Sequence, residues 1–321
     1  MAGKHWTEEE TQDLISSAQK KPPNEPLIDW SERYATNTRW TAHAIRAKVN
    51  ELRRTMKQNN DVPRILLFDI ETLPIEAYVW DLKPDYIQPE NIIRDWCISC
   101  WSAKWLGEAE VISFILKPDE ARERKDERIL HPLWRLLDKA DIVIAQNGKS
   151  FDIKRANTRF LLYGMDEPMP YRVVDTLQSA RAKFDFSSFK LDYMNKYLGL
   201  NIKHEVHMND WIGCSQGNKD SLKKMQEYNK QDVLILEEFY YSIRRWINHP
   251  NMVSWCVRVV ELEDGEEMCP VCGEIVTDSA FSGEWVSPAG YRYSAFRCPH
   301  CGAIGRRTER NPGQNIAVKK T

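Results

Sequence analysis

Four carboxylates are the residues whose types and spacing point most directly to chemistry. Asp69 and Glu71 close the apolar run that begins at Ile65, and Asp152 and Asp232 come later in the chain. Carboxylate oxygens suit Mg²⁺ and Mn²⁺, and two such ions about 4 Å apart serve phosphodiester hydrolysis. Because acids packed together repel one another, bound cations would relieve that repulsion. The four acids therefore predict a two-metal phosphodiester site.

Strands and helices must bring these acids together. Hydrophobic patterning predicts strands at 65–69, 96–101, 111–116, 142–145 and 173–174, and helices at 128–137, from 151 and over 222–246. Strands that first follow one another and then alternate with helices imply an α/β fold with a mixed sheet flanked by helices. Asp69 and Glu71, two apart on a strand, would face the same side. Tyr228 and Asp232, four apart, would share one face of the late helix.

Three motifs in this order resemble a known family. They are Leu66-Leu67-Phe68-Asp69-Ile70-Glu71-Thr72, Gln146-Asn147-Gly148-Lys149-Ser150-Phe151-Asp152 and Tyr228-Asn229-Lys230-Gln231-Asp232. Together they resemble the DEDD, or DnaQ-like, 3′–5′ exonucleases of the ribonuclease H-like superfamily. Because residue 228 is tyrosine, where other members have histidine, the resemblance is to the tyrosine subclass, DEDDy. The resemblance covers about residues 64–246.

The resemblance implies a ribonuclease H-like fold and a role for each motif residue. The four acids Asp69, Glu71, Asp152 and Asp232 would bind two Mg²⁺ or Mn²⁺ ions. Tyr228 would orient the attacking water, since a phenol is a poor general base near pH 7. Asn147 is expected to contact the backbone of the nucleic acid.

Two Cys-x-x-Cys pairs, Cys269/Cys272 and Cys298/Cys301, predict a metal site. Two such turns complete a tetrahedral set of four thiolates, and a closed set of this kind is structural. We expect one structural Zn²⁺ in a zinc ribbon. Nearby arginines and aromatic residues suit either nucleic-acid binding or docking on the nuclease: Arg297, Arg306, Arg307, Arg310, Trp285, Tyr291, Tyr293 and Phe296.

The first 60 residues predict three helices, the first opened by Thr7 with Glu10 as a capping box. The third helical region, 39–57, carries six cations against Glu51 alone. The tryptophan-rich pattern of the three-helix unit, with Trp6, Trp30 and Trp40, is similar to the Myb/SANT helix-turn-helix, whose third helix enters the major groove. The expected nucleic-acid contacts in this region are Arg39, Arg46, Lys48, Arg53 and Arg54. Folds of this type also bind proteins, so a protein-docking module is the alternative.

Two further patterns are expected to be structural. Cys97 and Cys100 lie three apart in a predicted strand, so they face opposite sides and belong to the core. Asp175, at the end of a predicted strand, is most simply the cap of the helix that follows.

Composition and hydrophobicity limit how this protein could bind nucleic acid and whether it could span a membrane. A net charge of −2 over 321 residues excludes a uniformly basic coat, so nucleic acid must be bound by local patches. No apolar run approaches the roughly 18 residues of a membrane span, and the first residues lack an apolar signal region. We expect a cytoplasmic protein without a membrane partner. The predicted domains are the helix-turn-helix at 1–60, the exonuclease at 64–248 and the zinc ribbon at 262–311.

The leading hypothesis is a metal-dependent 3′–5′ exonuclease acting on DNA, with nucleic acid as its partner and a replication or repair protein as a further one. An exoribonuclease remains an alternative, because the same acids serve either sugar. A structure-specific endonuclease is another, and a non-catalytic nucleic-acid-binding adapter is the alternative from a different class. Four mutually repelling acids argue against the adapter. We expect no polymerase, because only about 75 residues of this sequence follow the nuclease segment.

Overall fold

The computed structural model describes residues 6–19, 27–42, 44–45, 48–49, 63–201, 206–250 and 266–307. These residues divide into two compact units. The first draws on 1–60, 64–173 and 203–234, and the second on 61–63, 174–202 and 235–321. The predicted domain limits near 60–64 and 248–262 fall at or beside residues outside the described set, and they stay predictions. Within the described ranges, no helix is long and apolar enough to cross a membrane.

Residues 65–175 contain the strands of the central sheet and of a separate two-stranded sheet. These are β1 (Ile65–Leu73), β2 (Glu76–Ala77), β3 (Ile92–Arg94), β4 (Cys97–Trp105), β5 (Ile112–Ile115), β6 (Ile142–Ala145) and β7 (Arg172–Asp175). The sheet has the order β5-β4-β1-β6-β7, and β2 pairs separately with β3. Because β1 runs antiparallel to β4 and parallel to β6, the sheet is mixed, as predicted.

Helices flank this sheet and confirm the predicted α/β class. Those of the first unit are Pro118–Glu123, Glu127–Lys139, Asp152–Leu162, Met208–Ser215 and most of Lys219–Ile243. The helices Thr176–Lys183 and Leu191–Tyr197 belong to the second unit. The helix Glu127–Lys139 is amphipathic and buries Ile129, Leu130, Leu133 and Leu137, which recur at helical spacing. These side chains share one core with Leu66 and Phe68 of β1. Each fully buried leucine of this kind contributes about 1.5–3 kcal/mol.

Strand β1 extends further than its apolar run predicts. Residues 65–68 are buried, as a central strand covered on both faces requires. The strand then continues past Asp69 to Leu73, with an irregularity in its pairing with β4 between Glu71 and Thr72. The two acids therefore lie inside a paired strand, where backbone hydrogen bonds to β4 hold their positions.

The amino-terminal residues form a small helical core. The helices Glu8–Gln19 and Leu27–Ala35 are followed by helical residues at 42, 44, 45, 48 and 49. The Thr7 N–H donates to Glu10 Oε2 at 2.9 Å and the Glu10 N–H donates to Thr7 Oγ1 at 3.2 Å, which confirms the capping box. Leu14, Trp30, Ile45 and Val49 make up the buried core. The assignment of these helices to the helix-turn-helix class stays a prediction.

The carboxy-terminal described residues form two small sheets. The strands are β8 (Glu266–Met268), β9 (Ile275–Thr277), β10 (Gly283–Val286), β11 (Arg292–Arg297) and β12 (Ile304–Arg306). Strands β8 and β9 pair as a hairpin, and β10-β11-β12 form a three-stranded antiparallel sheet. Their shared core is small and consists of Val276, Phe296 and Ala303 around cysteines.

Both structural expectations outside the site are confirmed. Cys97 and Cys100 are fully buried in the core of the first unit. The Asp175 side chain accepts a hydrogen bond from the Gln178 N–H at 3.1 Å, so it caps the helix Thr176–Lys183.

The turn from β6 into the helix Asp152–Leu162 is tight. Asn147 has a φ of 62°, in the left-handed region, and its carbonyl accepts hydrogen bonds from Ser150 and Phe151 at 3.0 Å. A Cβ atom on Gly148 would lie 2.4 Å from the Cβ of Ala145. Glycine is therefore required at 148 so that the chain can turn back and open the helix at Asp152.

Gly148→Ala should lower the free energy of unfolding by about 1–3 kcal/mol, because the added methyl group forces the turn away from β6. Equilibrium urea unfolding measures this change. Gly283→Ala is the control, since its added Cβ would meet no described atom within 4 Å. Equal stability of Gly148→Ala and the wild type would contradict the close approach at the turn.

Candidate active site

Three of the four predicted acids come together in the first unit. Asp69, Glu71 and Asp232 each offer one carboxylate oxygen, and these oxygens all lie within 4.8 Å of one another. Asp69 and Glu71 share a face of β1 because two residues make one period of a strand. Asp232 reaches the same place from the helix Lys219–Ile243. The fold thus gathers charges that are about 160 residues apart in the chain.

Asp152 is held beside this group through the backbone of β1. It is the first residue of its helix and is 2% exposed. Its Oδ1 accepts a hydrogen bond from the N–H of Ile70 at 3.1 Å, and Ile70 lies between the two acids of β1. A carboxylate in the first turn also complements the positive end of the helix dipole. Asp152 is not one of the three acids within 4.8 Å, so its link to them is indirect.

Asn229 is a site residue that the sequence analysis missed. It is fully buried, and its Nδ2 donates a hydrogen bond to Asp69 Oδ2 at 2.6 Å. A hydrogen bond to a charged group is worth about 1.5–3 kcal/mol and fixes the rotation of the carboxylate. The sequence did carry a signal, because asparagine is a poor helix former and stands three positions before Asp232 on the same helix face.

Tyr228 lies where the sequence predicts, one helical turn before Asp232. Its ring is half-buried against the core of the first unit. The ring of Trp211 meets it edge-on, with centroids 6.5 Å apart and planes at 73°. These contacts restrict the tyrosine to a narrow range of orientations on the helix that also supplies Asn229 and Asp232.

Two buried thiols near Glu71 add no charge to the site. Burial raises the pKa of Cys100 well above its ordinary value, and the charge of Glu71 raises it further. Burial likewise raises the pKa of Cys214 to about 12, with Asp210 and Glu71 contributing. Both thiols are therefore protonated at neutral pH, and the acidic group keeps a purely carboxylate character.

The donor set of the acidic group fits a hard divalent cation. Carboxylate oxygens are the protein ligands that Mg²⁺ and Mn²⁺ prefer, and three residues offer them within a few ångströms. Asp69, Glu71 and Asp232 could therefore hold such an ion, as the sequence predicts.

The four cysteines form a second candidate metal group, in the second unit. Their Sγ atoms lie within 4.8 Å of one another, and the pairs Cys269/Cys301 and Cys272/Cys298 are each separated by 3.7 Å. Both turns have the same geometry, because the N–H of Gly273 donates to the Cys269 carbonyl and that of Gly302 to the Cys298 carbonyl, each at 2.9 Å. A hydrogen bond from the Cys272 thiol lowers the pKa of Cys269. Four soft sulfur donors in this arrangement fit a structural metal ion.

The residues predicted to contact nucleic acid differ in their burial and in whether their charge is already paired. Arg39 donates to both carboxylate oxygens of Glu10, at 2.6 and 2.9 Å, so its charge is already paired. The same bond lowers the pKa of Glu10 to about 2. Lys48 is half-buried, and Asn147 is half-buried in the turn after β6. Arg46, Arg53 and Arg54 lie outside the described residues.

In residues 266–307, which we call the cysteine segment, several arginines and aromatic rings contact other residues of the same segment. Phe296 is buried in the small core, and Arg307 pairs with Glu267. Arg306 lies over the rings of Trp285 and Tyr293, at 4.6 and 4.1 Å from their centroids. Arg310 lies outside the described residues. Several of these side chains therefore stabilise the segment itself.

Comparison with known proteins identifies one domain. Residues 85–244 match the RNase_H superfamily, a range that includes Asp152, Tyr228 and Asp232 and begins after β1. The DNA polymerase III PolC-type of Ureaplasma parvum serovar 3 is 28% identical over 169 residues, which are 48% of this chain and 10% of that protein. The family B DNA polymerase of Pyrobaculum calidifontis aligns with a TM-score of 0.39 and 14% identity, over 73% of this chain and 32% of the polymerase chain. On the family match, this chain carries an RNase_H superfamily domain.

Proposed function

We propose that this chain is a metal-dependent nuclease that hydrolyses phosphodiester bonds of DNA as a 3′–5′ exonuclease of the tyrosine subclass. The observation that carries the proposal is the meeting of three carboxylates within 4.8 Å, with Asp152 tied to the same strand. The RNase_H superfamily match supports nuclease chemistry. DNA is favoured over RNA because the Ureaplasma relative is named as a DNA polymerase, of which this chain spans about a tenth.

Each site residue has a defined part in this proposal. Two divalent cations, when bound, would lower the pKa of a water molecule and neutralise charge on the leaving oxygen. Asp69, Glu71, Asp152 and Asp232 would bind the cations. Asn229 would hold the Asp69 carboxylate in the orientation that binding needs.

Tyr228 and Asn147 would position the attacking water and the nucleic acid. Tyr228 would orient the water through its hydroxyl, since its ring is held by Trp211 on the helix that also carries Asp232. Asn147 would contact the phosphodiester backbone from the turn that leads to Asp152. The amino-terminal helices, as a helix-turn-helix at 1–60, and the cysteine segment, as a zinc ribbon at 262–311, would bind nucleic acid around the exonuclease at 64–248.

Asp232→Asn should reduce cleavage about a thousandfold, because it removes a charged ligand worth several kcal/mol of transition-state stabilisation. The assay uses 5′-labelled single-stranded DNA and RNA of one sequence with Mg²⁺, and EDTA in parallel. A ladder that shortens from the 3′ end, with DNA preferred, is the expected result for the wild type.

Glu227→Gln is the matched control for this variant. Glu227 is on the same helix and pairs with Lys230 at the surface, so its loss should leave cleavage unchanged. Equal activity of Asp232→Asn and the wild type would contradict the site. Internal fragments from the first time point would instead indicate an endonuclease, and preference for RNA would indicate an exoribonuclease.

Asn229→Ala should raise the Mg²⁺ concentration for half-maximal cleavage by about 10–100-fold, since groups that orient metal ligands typically contribute that much. Asn195→Ala is its control. Asn195 is also a fully buried helical asparagine, and its Nδ2 donates to a backbone carbonyl, that of Ile235, instead of a carboxylate. An unchanged Mg²⁺ requirement in Asn229→Ala, or an equal shift in both variants, would show that Asn229 only supports the fold.

One Zn²⁺ per chain should be bound by Cys269, Cys272, Cys298 and Cys301, because four thiolates in two tight turns are its preferred structural ligands. Native mass spectrometry of the full chain gives the metal content. Cys269→Ser should lose the ion, whereas Cys214→Ser, a buried cysteine of the first unit, should retain it. A wild-type protein purified without zinc that neither binds added Zn²⁺ nor gains thermal stability from it would refute this site.

A further inference from the structure

Six aromatic side chains of the second unit form a connected set of ring contacts, which we call the aromatic surface. They are Phe184, Phe186, Phe189, Tyr193, Tyr197 and Trp246. Phe186 is central, with its ring centroid 5.6 Å from Phe184, 6.0 Å from Phe189 and 5.5 Å from Tyr197. Trp246 joins through an edge-on contact with Phe184 at 6.2 Å. The half-buried phenylalanines thus form a base that supports two outer rings.

The outer rings are not needed for the core. Tyr197 is 70% exposed and Trp246 is 58% exposed. The helix Leu191–Tyr197 already buries Leu191 and Met194 on one face. Tyr193 and Tyr197 are four apart and lie on the opposite face, with their rings stacked at 6.5 Å. Large rings held rigidly at a surface are suited to contact a ligand.

Exposed cations lie close to these rings in the sequence. They are Arg181, Lys183, Lys190, Lys196 and Arg245. Arg181 lies over the ring of Phe189 at 5.6 Å, and Arg245 lies over Trp246 at 6.0 Å. Within the part of the chain that the structure describes, no carboxylate forms an ion pair with any of the five.

The local charge contrasts with that of the whole protein. Residues 181–197 hold four lysines and arginines against two aspartates, and residues 241–248 hold two arginines and no acid. The full chain has a net charge of −2. Positive charge is therefore concentrated where the aromatic rings are exposed, which complements a polyanion with flat apolar groups.

We propose that the aromatic surface binds single-stranded nucleic acid, with nucleobases stacked on Tyr197 and Trp246 and phosphates beside the cations. The choice of ligand rests on the proposed nuclease function. Base-on-ring stacking combined with a basic groove is how proteins hold single strands without reading sequence. A duplex keeps its base faces stacked inside, so it cannot use the rings. An apolar protein partner would bury the five cations without compensating charge.

The test measures binding without catalysis. A 5′-fluorescein oligothymidylate is titrated with the full chain without added Mg²⁺ or Mn²⁺, and fluorescence anisotropy gives Kd. Tyr197→Ala and Trp246→Ala should each raise Kd about tenfold, the value typical of removing the ring on which one base stacks. Lys190→Gln with Lys196→Gln should reduce the slope of log Kd against log salt by about 0.7 for each phosphate that is no longer neutralised.

Matched controls separate stacking from general effects. Tyr86→Ala and Trp80→Ala remove rings of the first unit that are 73% and 97% exposed, and both should bind as the wild type does. Tyr197→Phe should also bind normally, because the ring is kept. Unchanged Kd in the Tyr197→Ala/Trp246→Ala double variant would overturn the proposal. An equal loss with the control variants, or for a duplex of the same length, would overturn it as well.

The outcome is independent of the nuclease assay. Suppose that the wild type binds single strands but cleaves no nucleic acid, and that the Tyr197→Ala/Trp246→Ala double variant does not bind. The aromatic surface is then established and the nuclease proposal fails. If the wild type cleaves DNA and the double variant binds single strands normally, the surface proposal alone fails.

Discussion

Like charges held close together are the constraint on which the first unit depends. Two carboxylates 4–5 Å apart repel by about 3–4 kcal/mol at an effective dielectric constant of 20. Three such groups within 4.8 Å, while all are ionised and no cation is bound, therefore oppose folding by an amount comparable with the 5–15 kcal/mol of a typical domain's stability. The surrounding structure has to supply that energy. Strand β1 contributes by burying residues 65–68 before it presents Asp69 and Glu71.

The acids are oriented in part by groups that carry no charge. Asp69 accepts from the amide of Asn229, and Asp152 accepts from the backbone N–H of Ile70. The nearby thiols of Cys100 and Cys214 are kept protonated by burial. A neutral donor fixes the direction of a carboxylate and leaves its negative charge in place. A lysine or arginine in the same position would cancel that charge. The group thereby retains the negative potential that attracts divalent cations, which is the physical basis for the proposed metal chemistry.

The two candidate metal groups differ in the softness of their ligands. Oxygen donors at the acids favour Mg²⁺ or Mn²⁺, whereas four sulfur donors favour Zn²⁺, so each group selects its ion without a specific cavity. They also differ in purpose. Among its described residues, the cysteine segment has a small core that includes Val276, Phe296 and Ala303 around its thiols, and metal binding at such a site supplies folding free energy that the core lacks. The acids lie on a well-buried sheet, so an ion there would offset charge repulsion and would not replace a missing core.

Local sequence determined those parts of the protein that depend on neighbours a few residues away. The limits of β6, the start of the helix at 151–152, the capping box of Thr7 and the cap at Asp175 all follow from short patterns, because each is stabilised within one turn or one strand. The order and type of the three acidic motifs likewise indicate both the fold class and the candidate site. In these regions the residues' secondary-structure propensity, the hydrophobic period and the local hydrogen bonds all favour the same helix or strand.

Only the tertiary structure decided contacts between distant residues. Strand β1 reaches Leu73 because β4 pairs with it that far, beyond the end of its continuous apolar run at Phe68. Asn229 meets Asp69 across 160 positions, and the pairing of Arg39 with Glu10 removes a cation that the sequence alone presents as available. The aromatic surface is also tertiary, since Trp246 joins Phe184 from a different part of the second unit. Sequence spacing determines which residues share a face, whereas the partner opposite that face is set by how the elements pack.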